Sequence, residues 1–186
     1  LDFVYQHNPH LVNKIAEPIF ENCSDRLILA NHSLKQLNVI DDSTYNGKYS
    51  SVLKMLNICL TPMGRRKFAY NFLNPTTNIA NLQREYDITE YFITYLSDDD
   101  YLKSNLSCIK DISKNERQIF IKKITPKSFF TLYNNIVLIS KIYEKVSTDT
   151  RVMQYLGVFE KNISQIREYC DELAGFIKTN LVLELA

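Results

Sequence analysis

The sequence has no tryptophan, and only four glycines and five prolines are spread through its 186 residues. A sandwich or barrel needs many tight turns, so this scarcity predicts helices joined by short connections. Gly47, Gly64, Gly157 and Gly175 are too scattered for a glycine-rich loop that packs backbone N–H groups around a pyrophosphate. Gly47-Lys48-Tyr49-Ser50 fails as the end of a phosphate-binding loop, because Asp42 occupies the first glycine position and Tyr49 the position of Ser or Thr after the lysine. Cysteine is sparse too. Cys23, Cys59, Cys108 and Cys170 lie far apart with no C-x-x-C pair, so zinc binding is not expected. His7 and His10 are interrupted by Asn8-Pro9 and lack further ligands nearby, and His32 reads as a solvated turn residue. Neither charge is in excess: 22 Lys and Arg against 21 Asp and Glu leave a net +1, which excludes a global basic field of the kind that marks a nucleic-acid-binding domain. No apolar run approaches the ~18 residues of a membrane span and no leader opens the chain, so an intracellular protein without a membrane partner is expected. Asn22-Cys23-Ser24 and Asn162-Ile163-Ser164 match glycosylation sequons by chance on that reading.

What is present is densest between Ser51 and Arg66. Val52, Leu53, Leu56 and Cys59 or Leu60 recur at helical spacing and predict a short buried helix, with Cys59 as a small core residue. Thr61-Pro62 reads as an N-cap followed by proline at the first helical position, where a missing N–H is harmless. Gly64 falls in the first turn of that second helix, where glycine costs roughly 1 kcal/mol relative to alanine; close approach of a neighbouring helix is the expected reason. Asn74-Pro75 ends the segment, since the residue before proline is driven out of the α region.

Ser51-Val-Leu-x-x-Leu-Asn-x-Cys-x-Thr-x-x-Gly-x-Arg66 resembles the start of the core domain of the MutS family of DNA mismatch-recognition ATPases, which shows S-L-x-x-L-x-N/D-x-T/C-x-T-x-x-G-x-R there. Three further patches follow the family in order. Ser33 to Val39 is similar to T-L-R-N-L-E-I, Arg84 to Ile88 to R-x-x-x-V, and Asp111-Ile112 with Pro126-Lys-Ser-Phe129 to D-L-E-R…P-R-D-L. The resemblance covers residues 25 to 145 or so. Asn38 stands where glutamate is usual, Asn71 falls near a usual tryptophan, and Ser113-Lys114 replace Glu-Arg. The resemblance implies structural motif residues at Ser51, Asn57, Thr61, Gly64, Arg66 and Arg84. It also implies a multi-helix core domain with the start of lever helices over residues 25–186, after a helical lead-in over 1–24. Clamp and ATPase domains would be absent, the chain itself would be no enzyme and would hold no cofactor, and ATP and Mg would belong to the parent protein. Double-stranded DNA and a second MutS-like subunit would be partners through that parent.

In chain order, a helix is expected from residue 9 to about 17, then a small two-stranded β element near residues 26–40, formed by 25–29 and 37–40 around the polar Asn31-His32-Ser33. Asp41 to Gly47 reads as a turn-rich loop. Asn78 caps a helix to about Ser97, Asp98-Asp99-Asp100 is a solvated loop, and residues 101–123 carry two shorter helices. Thr125-Pro126 repeats the N-cap device ahead of a five-turn helix through Val146, and one more long helix is expected from about 157 to 180. A start without methionine and the apolar close at Leu181 to Ala186 read as an excised piece of a longer protein.

Arg65-Arg66-Lys67, followed by Phe68 and Tyr70, is the candidate for phosphate contact, because guanidinium forks match phosphate oxygens and aromatics stack on bases. The competing reading turns Phe68 and Phe72 into the core and has Arg65 brace a neighbouring helix end. Lys122, Lys123 and Lys127 read as a solvated face. Nothing favours a nuclease. The functional expectation is the core and lever scaffold of a MutS-like protein, with a helical protein-interaction module lacking any DNA role as the alternative.

Overall fold

The computed structural model describes residues 2–12, 15–16, 25–27, 29–41, 47–96, 100–159 and 162–180. Within these the chain is mainly helical. Eleven helices are described: α1 Asp2–His7, α2 Pro9–Val12, α3 Asn31–Gln36, α4 Val52–Leu56, α5 Pro62–Leu73, α6 Ile79–Tyr95, α7 Asp100–Cys108, α8 Ile112–Phe120, α9 Pro126–Val146, α10 Thr150–Phe159 and α11 Ile163–Asn180. The longest, α9, is the centre of packing. Its Leu132 and Ile136 bury with Ile177 of α11, and Ile112, Phe129, Tyr133, Cys170 and Ala174 close around them. α7 and α8 also lie against α9, while α10 lies against α6.

Helix starts follow the local chemistry. Thr61 and Thr125 each accept a hydrogen bond from the backbone N–H three residues on, at Gly64 and Ser128, with proline at the first helical position in both cases. Asn78 caps α6 in the same way through the N–H of Asn81. α5 stops at Leu73, ahead of Asn74-Pro75.

The expected β element near residues 26–40 is not formed. Among the described residues the only β pairing is a single antiparallel bridge between Arg26 and Thr76. The polar Asn31-His32-Ser33 stretch opens α3 instead of turning between strands. Asn38 then takes a left-handed conformation at φ 54°, which asparagine tolerates better than most residues. This turns the N–H of Val39 back onto the carbonyl of Leu34 at 2.8 Å. The carbonyls of Asn38 and Val39 accept from Val52 and Leu53 at the start of α4. With these groups committed to the ends of two helices, none is left to build a ladder.

Three other expectations change. α4 ends at Leu56 and holds no buried residue, so Cys59 sits half-buried in the following loop and not on a helical stripe. The helix expected over 157–180 is two: α10 begins where Asp149 Oδ1 accepts from the N–H groups of Arg151 and Val152, and α11 follows from Ile163. α1 precedes the expected restart at Pro9, and α2 ends by Val12. Asp98, Asp99, Cys23 and the apolar close from Leu181 to Ala186 lie outside the described residues; Asp100 opens α7.

Candidate functional site

Ser51, 2% exposed, caps α4 by accepting from the N–H of Lys54. Asn57 follows the last turn of α4, and its Nδ2 donates to the carbonyl of Arg65 at 2.9 Å. Arg65 reciprocates across the loop, its Nε donating to the carbonyl of Cys59 at 2.9 Å. A Cβ on Gly64 would lie 2.8 Å from Thr61 Oγ1 and 3.5 Å from Cys59 Cβ. The glycine therefore makes room for its own helix cap and the preceding loop, not for a neighbouring helix. Together these residues fix the angle between α4 and α5 and set the direction in which Arg66 leaves the helix.

Arg66 crosses to another part of the chain. Its Nη1 donates to Asp111 Oδ2 at 2.6 Å and its Nη2 to Asp111 Oδ1 at 2.9 Å, a bidentate fork extended to Ser113 Oγ at 3.2 Å. The guanidinium holds the Asp111 carboxyl below the usual carboxylate range, with the N–H groups of Lys114 and Ser113 contributing. Asp111 thus neutralises Arg66 at the first turn of α8, where a carboxylate also suits the helix dipole.

The preceding residue is held by a different helix. Asn135 of α9 is 1% exposed; its Oδ1 accepts from the N–H of Lys110 at 2.8 Å and its Nδ2 donates to the carbonyl of Lys110 at 3.3 Å. Ile109, one residue earlier, is itself buried. Each member of the Ile109-Lys110-Asp111 connection is therefore fixed differently: by burial, by α9, and by α5. This joint ties α5, α7, α8 and α9 into one unit.

A second set of polar ties joins α6 to the start and middle of α10. Tyr91 donates to Asp149 at 2.5 Å, and Tyr155 donates to the Glu85 carboxylate at 2.8 and 2.9 Å. The Asp149 carboxyl is held low chiefly by the Tyr91 hydroxyl, while burial, reinforced by Glu85, pushes Tyr155 up to about 12. Beside these ties run two cavities of about 580 and 530 Å³, which share Arg84, Tyr155 and Val158. Arg84 donates to Asn81 at 3.2 Å, and Arg151 lies over the Tyr91 ring. The walls of the first cavity mix Arg84 and Arg151 with Asp87 and Glu90, so it has no single sign of charge, whereas the second carries Arg26, Lys67 and Arg84 against Glu85.

Arg65, Arg66 and Lys67 are consecutive and exposed on α5. Arg65 and Arg66 have partners within the chain, and the Lys67 ammonium lies 5.8 Å from the Tyr70 ring centroid. Phe68 and Phe72 stack at 5.8 Å and are half-buried. Reading the sequence missed Asn135, because its partners are backbone groups 25 residues away; it also missed the tyrosine ties, although Asp149 ahead of an apolar-periodic run was a legible cap. Among the described residues no His, Cys, Asp and Glu cluster could hold a metal ion, and no helix is long and apolar enough to cross a membrane.

Comparison with known proteins finds a match to the family model described as MutS domain III over residues 32–184. A putative DNA mismatch repair protein MutS homologue of Acanthamoeba polyphaga mimivirus is 32% identical over 151 residues, covering 78% of this chain and 13% of that protein. A mitochondrial DNA mismatch repair protein MutS homologue of Sarcophyton glaucum is 29% identical over 190 residues, covering 96% of this chain and 19% of the relative. The DNA mismatch repair protein MutS of Chlamydia trachomatis serovar A is 22% identical over 174 residues, covering 94% and 21%. The chain therefore spans about a fifth or less of the relatives it matches. No solved structure matches it.

Proposed function

The chain belongs to the MutS family, residues 32–184 corresponding to its domain III, and from that premise we propose that it is the core and lever scaffold of a DNA mismatch-repair protein, linking the state of an ATPase to the grip on DNA. In this reading the chain is not itself catalytic. ATP, Mg, duplex DNA and a second MutS-like subunit are bound by the protein that contains it. The observation that carries the reading is the joint at Ile109-Lys110-Asp111, where α5 and α9 hold adjacent residues by two independent sets of hydrogen bonds. A part that passes displacement between distant sites needs elements that move together, and such ties supply that property. The exposed side of α11 adds support: Ile166, Tyr169, Leu173 and Phe176 are exposed at spacings of three, four and three, a helical seam beside the α9 contact that suits a neighbouring helix.

The test is made on the full-length gene product that carries this sequence. Affinity for a labelled mismatched duplex is measured with and without ATP, for the parent and for Arg66→Met. Coupling between such sites is typically worth about 5–150-fold in affinity. Both proteins should bind each ligand alone, with the ATP-induced change in DNA affinity several-fold smaller in Arg66→Met. Unchanged coupling in the variant, or no ATP effect in the parent, refutes the scaffold reading and leaves a helical interaction module.

A further inference from the structure

We propose that the corner between α8 and α9 is a second, sequence-independent contact for the backbone of duplex DNA. Over residues 110–128 the chain carries six basic residues, Lys110, Lys114, Arg117, Lys122, Lys123 and Lys127, against Asp111 and Glu116, although the whole protein is only +1. One of the two carboxylates, Asp111, is already neutralised by Arg66. No side chain among Lys114, Arg117, Lys122, Lys123 and Lys127 has a carboxylate partner among the described residues. An uncompensated group of this density in a nearly neutral protein creates a local positive field that the rest of the surface does not cancel at short range.

The backbone explains why these charges gather. α8 closes with the N–H of Ile121 on Arg117, that of Lys122 on Ile119 and that of Lys123 on Gln118, and Lys122 adopts the left-handed conformation at φ 54°. This tight reversal brings the basic end of α8 and the basic start of α9 to one corner. The corner projects outward: Phe120 is 79% exposed, Ile119 and Ile121 are exposed beside it, and Lys122, Lys123, Pro126 and Lys127 are exposed as well. The shape selects the partner. An amphipathic acidic peptide docks its apolar side into a groove, whereas a convex basic corner tipped with apolar side chains fits the groove of a duplex, with lysines on the flanking phosphates and Phe120 against sugars and base edges. Lysines without fork geometry or ordered partners supply position and affinity, not base readout, so matched and mismatched duplexes should bind alike. The inference deepens the scaffold reading by adding a DNA contact outside any clamp, but it does not depend on ATP coupling.

The 186-residue protein is titrated against a labelled duplex by fluorescence anisotropy from 50 to 200 mM salt. Four phosphate contacts would give a slope of log affinity against log salt of about −3.6, and so a loss of roughly a hundredfold over that range. Combining Lys122→Glu, Lys123→Glu and Lys127→Glu should weaken binding more than tenfold and flatten the slope by roughly 2.7. Phe120→Ser should weaken it severalfold without altering the slope, and Lys141→Glu, on the exposed side of α9, should leave both unchanged. Circular dichroism establishes that each variant is folded. No binding by the parent, an equal loss from Lys141→Glu, or displacement by polyglutamate as readily as by unlabelled duplex overturns the proposal, the last in favour of an acidic protein partner.

Discussion

Two buried asparagines with opposite hydrogen-bonding circumstances give a direct measurement of what the joint contributes. Asn135 is 1% exposed and exchanges two hydrogen bonds with the backbone of Lys110; Asn115 of α8 is 5% exposed and its Nδ2 has no partner. Replacing Asn135 with leucine keeps the branching at Cγ in a larger side chain, removes both bonds and leaves the Lys110 N–H and carbonyl without partners in a partly buried place. Each lost bond is worth about 1 kcal/mol and each stranded group about 1–3 kcal/mol when fully buried. Partial access to water at Lys110 limits the second contribution, so Asn135→Leu should destabilise by about 3 kcal/mol. In Asn115→Leu the unpartnered amide is removed and its unfavourable burial relieved, so stability should change by less than about 0.5 kcal/mol or rise. Urea unfolding followed by circular dichroism measures both, with an unchanged slope as the control for an unaltered denatured state. In thermal melts the same difference amounts to about 6–12 °C at this chain length. Equal loss from the two substitutions, or less than about 1 kcal/mol from Asn135→Leu, refutes the claim that the side-chain bridge and not simple core filling fixes this connection.

The Arg66–Asp111 fork should survive neither loss of geometry nor loss of charge: in a double-mutant cycle on urea stability, Arg66→Lys and Asp111→Asn should each remove most of the coupling, and a full cycle with zero coupling would show the pair to be energetically idle. Because the Asp111 carboxyl is lowered in the folded chain, its contribution is present above the unfolded carboxylate value of about 4 and is lost as pH falls through the folded value; acid unfolding of Arg66→Met should lack this component. Tyr155 behaves oppositely: its folded value of about 12 exceeds the unfolded ~10, so its contribution is complete below pH 10 and disappears as pH rises towards 12. An ultraviolet titration should lose a late-ionising component in Tyr155→Phe, while Tyr91, raised by its bond to Asp149, keeps its own. Gly64→Ala should destabilise by about 1 kcal/mol by displacing the Thr61 cap, and should be neutral or stabilising once Thr61 is alanine, a sign change visible in thermal melts.

What could be read from the sequence was what is encoded within three or four residues. Thr61-Pro62 and Thr125-Pro126 carry cap and first turn in adjacent letters, and α5 and α9 start there. Leu27, Val39 and Ile40 have strand-forming side chains, yet the backbone groups of 38 and 39 are taken by α3 and α4, a competition that propensity does not register. The span from 157 to 180 read as one helix because Phe159 and Ile163 continue each other's spacing. The start of α10 is set by the Asp149 cap, a signal that helical spacing alone does not carry. Of the joint, Asp111 was legible only through family resemblance, and its bond to Arg66 spans 45 residues. Asn135 looked like a polar interruption in an apolar helix; only the folded chain brings Lys110 within its reach.

Ile109, Lys110 and Asp111 also limit how this sequence can change in length. Surface connections usually accept insertions and deletions, since their backbone answers mainly to water. Here the spacing between a buried isoleucine, a backbone unit read by Asn135 and a carboxylate read by Arg66 has no slack. One residue added before Lys110 would carry both it and Asp111 out of register with α9 and α5; one added after it would keep the first grip and break the second. Insertion is therefore the kind of variation this connection accepts least. The short turn at Ser147-Thr148-Asp149 differs, because among the described residues Asp149 is the one within it whose side chain bonds to another helix.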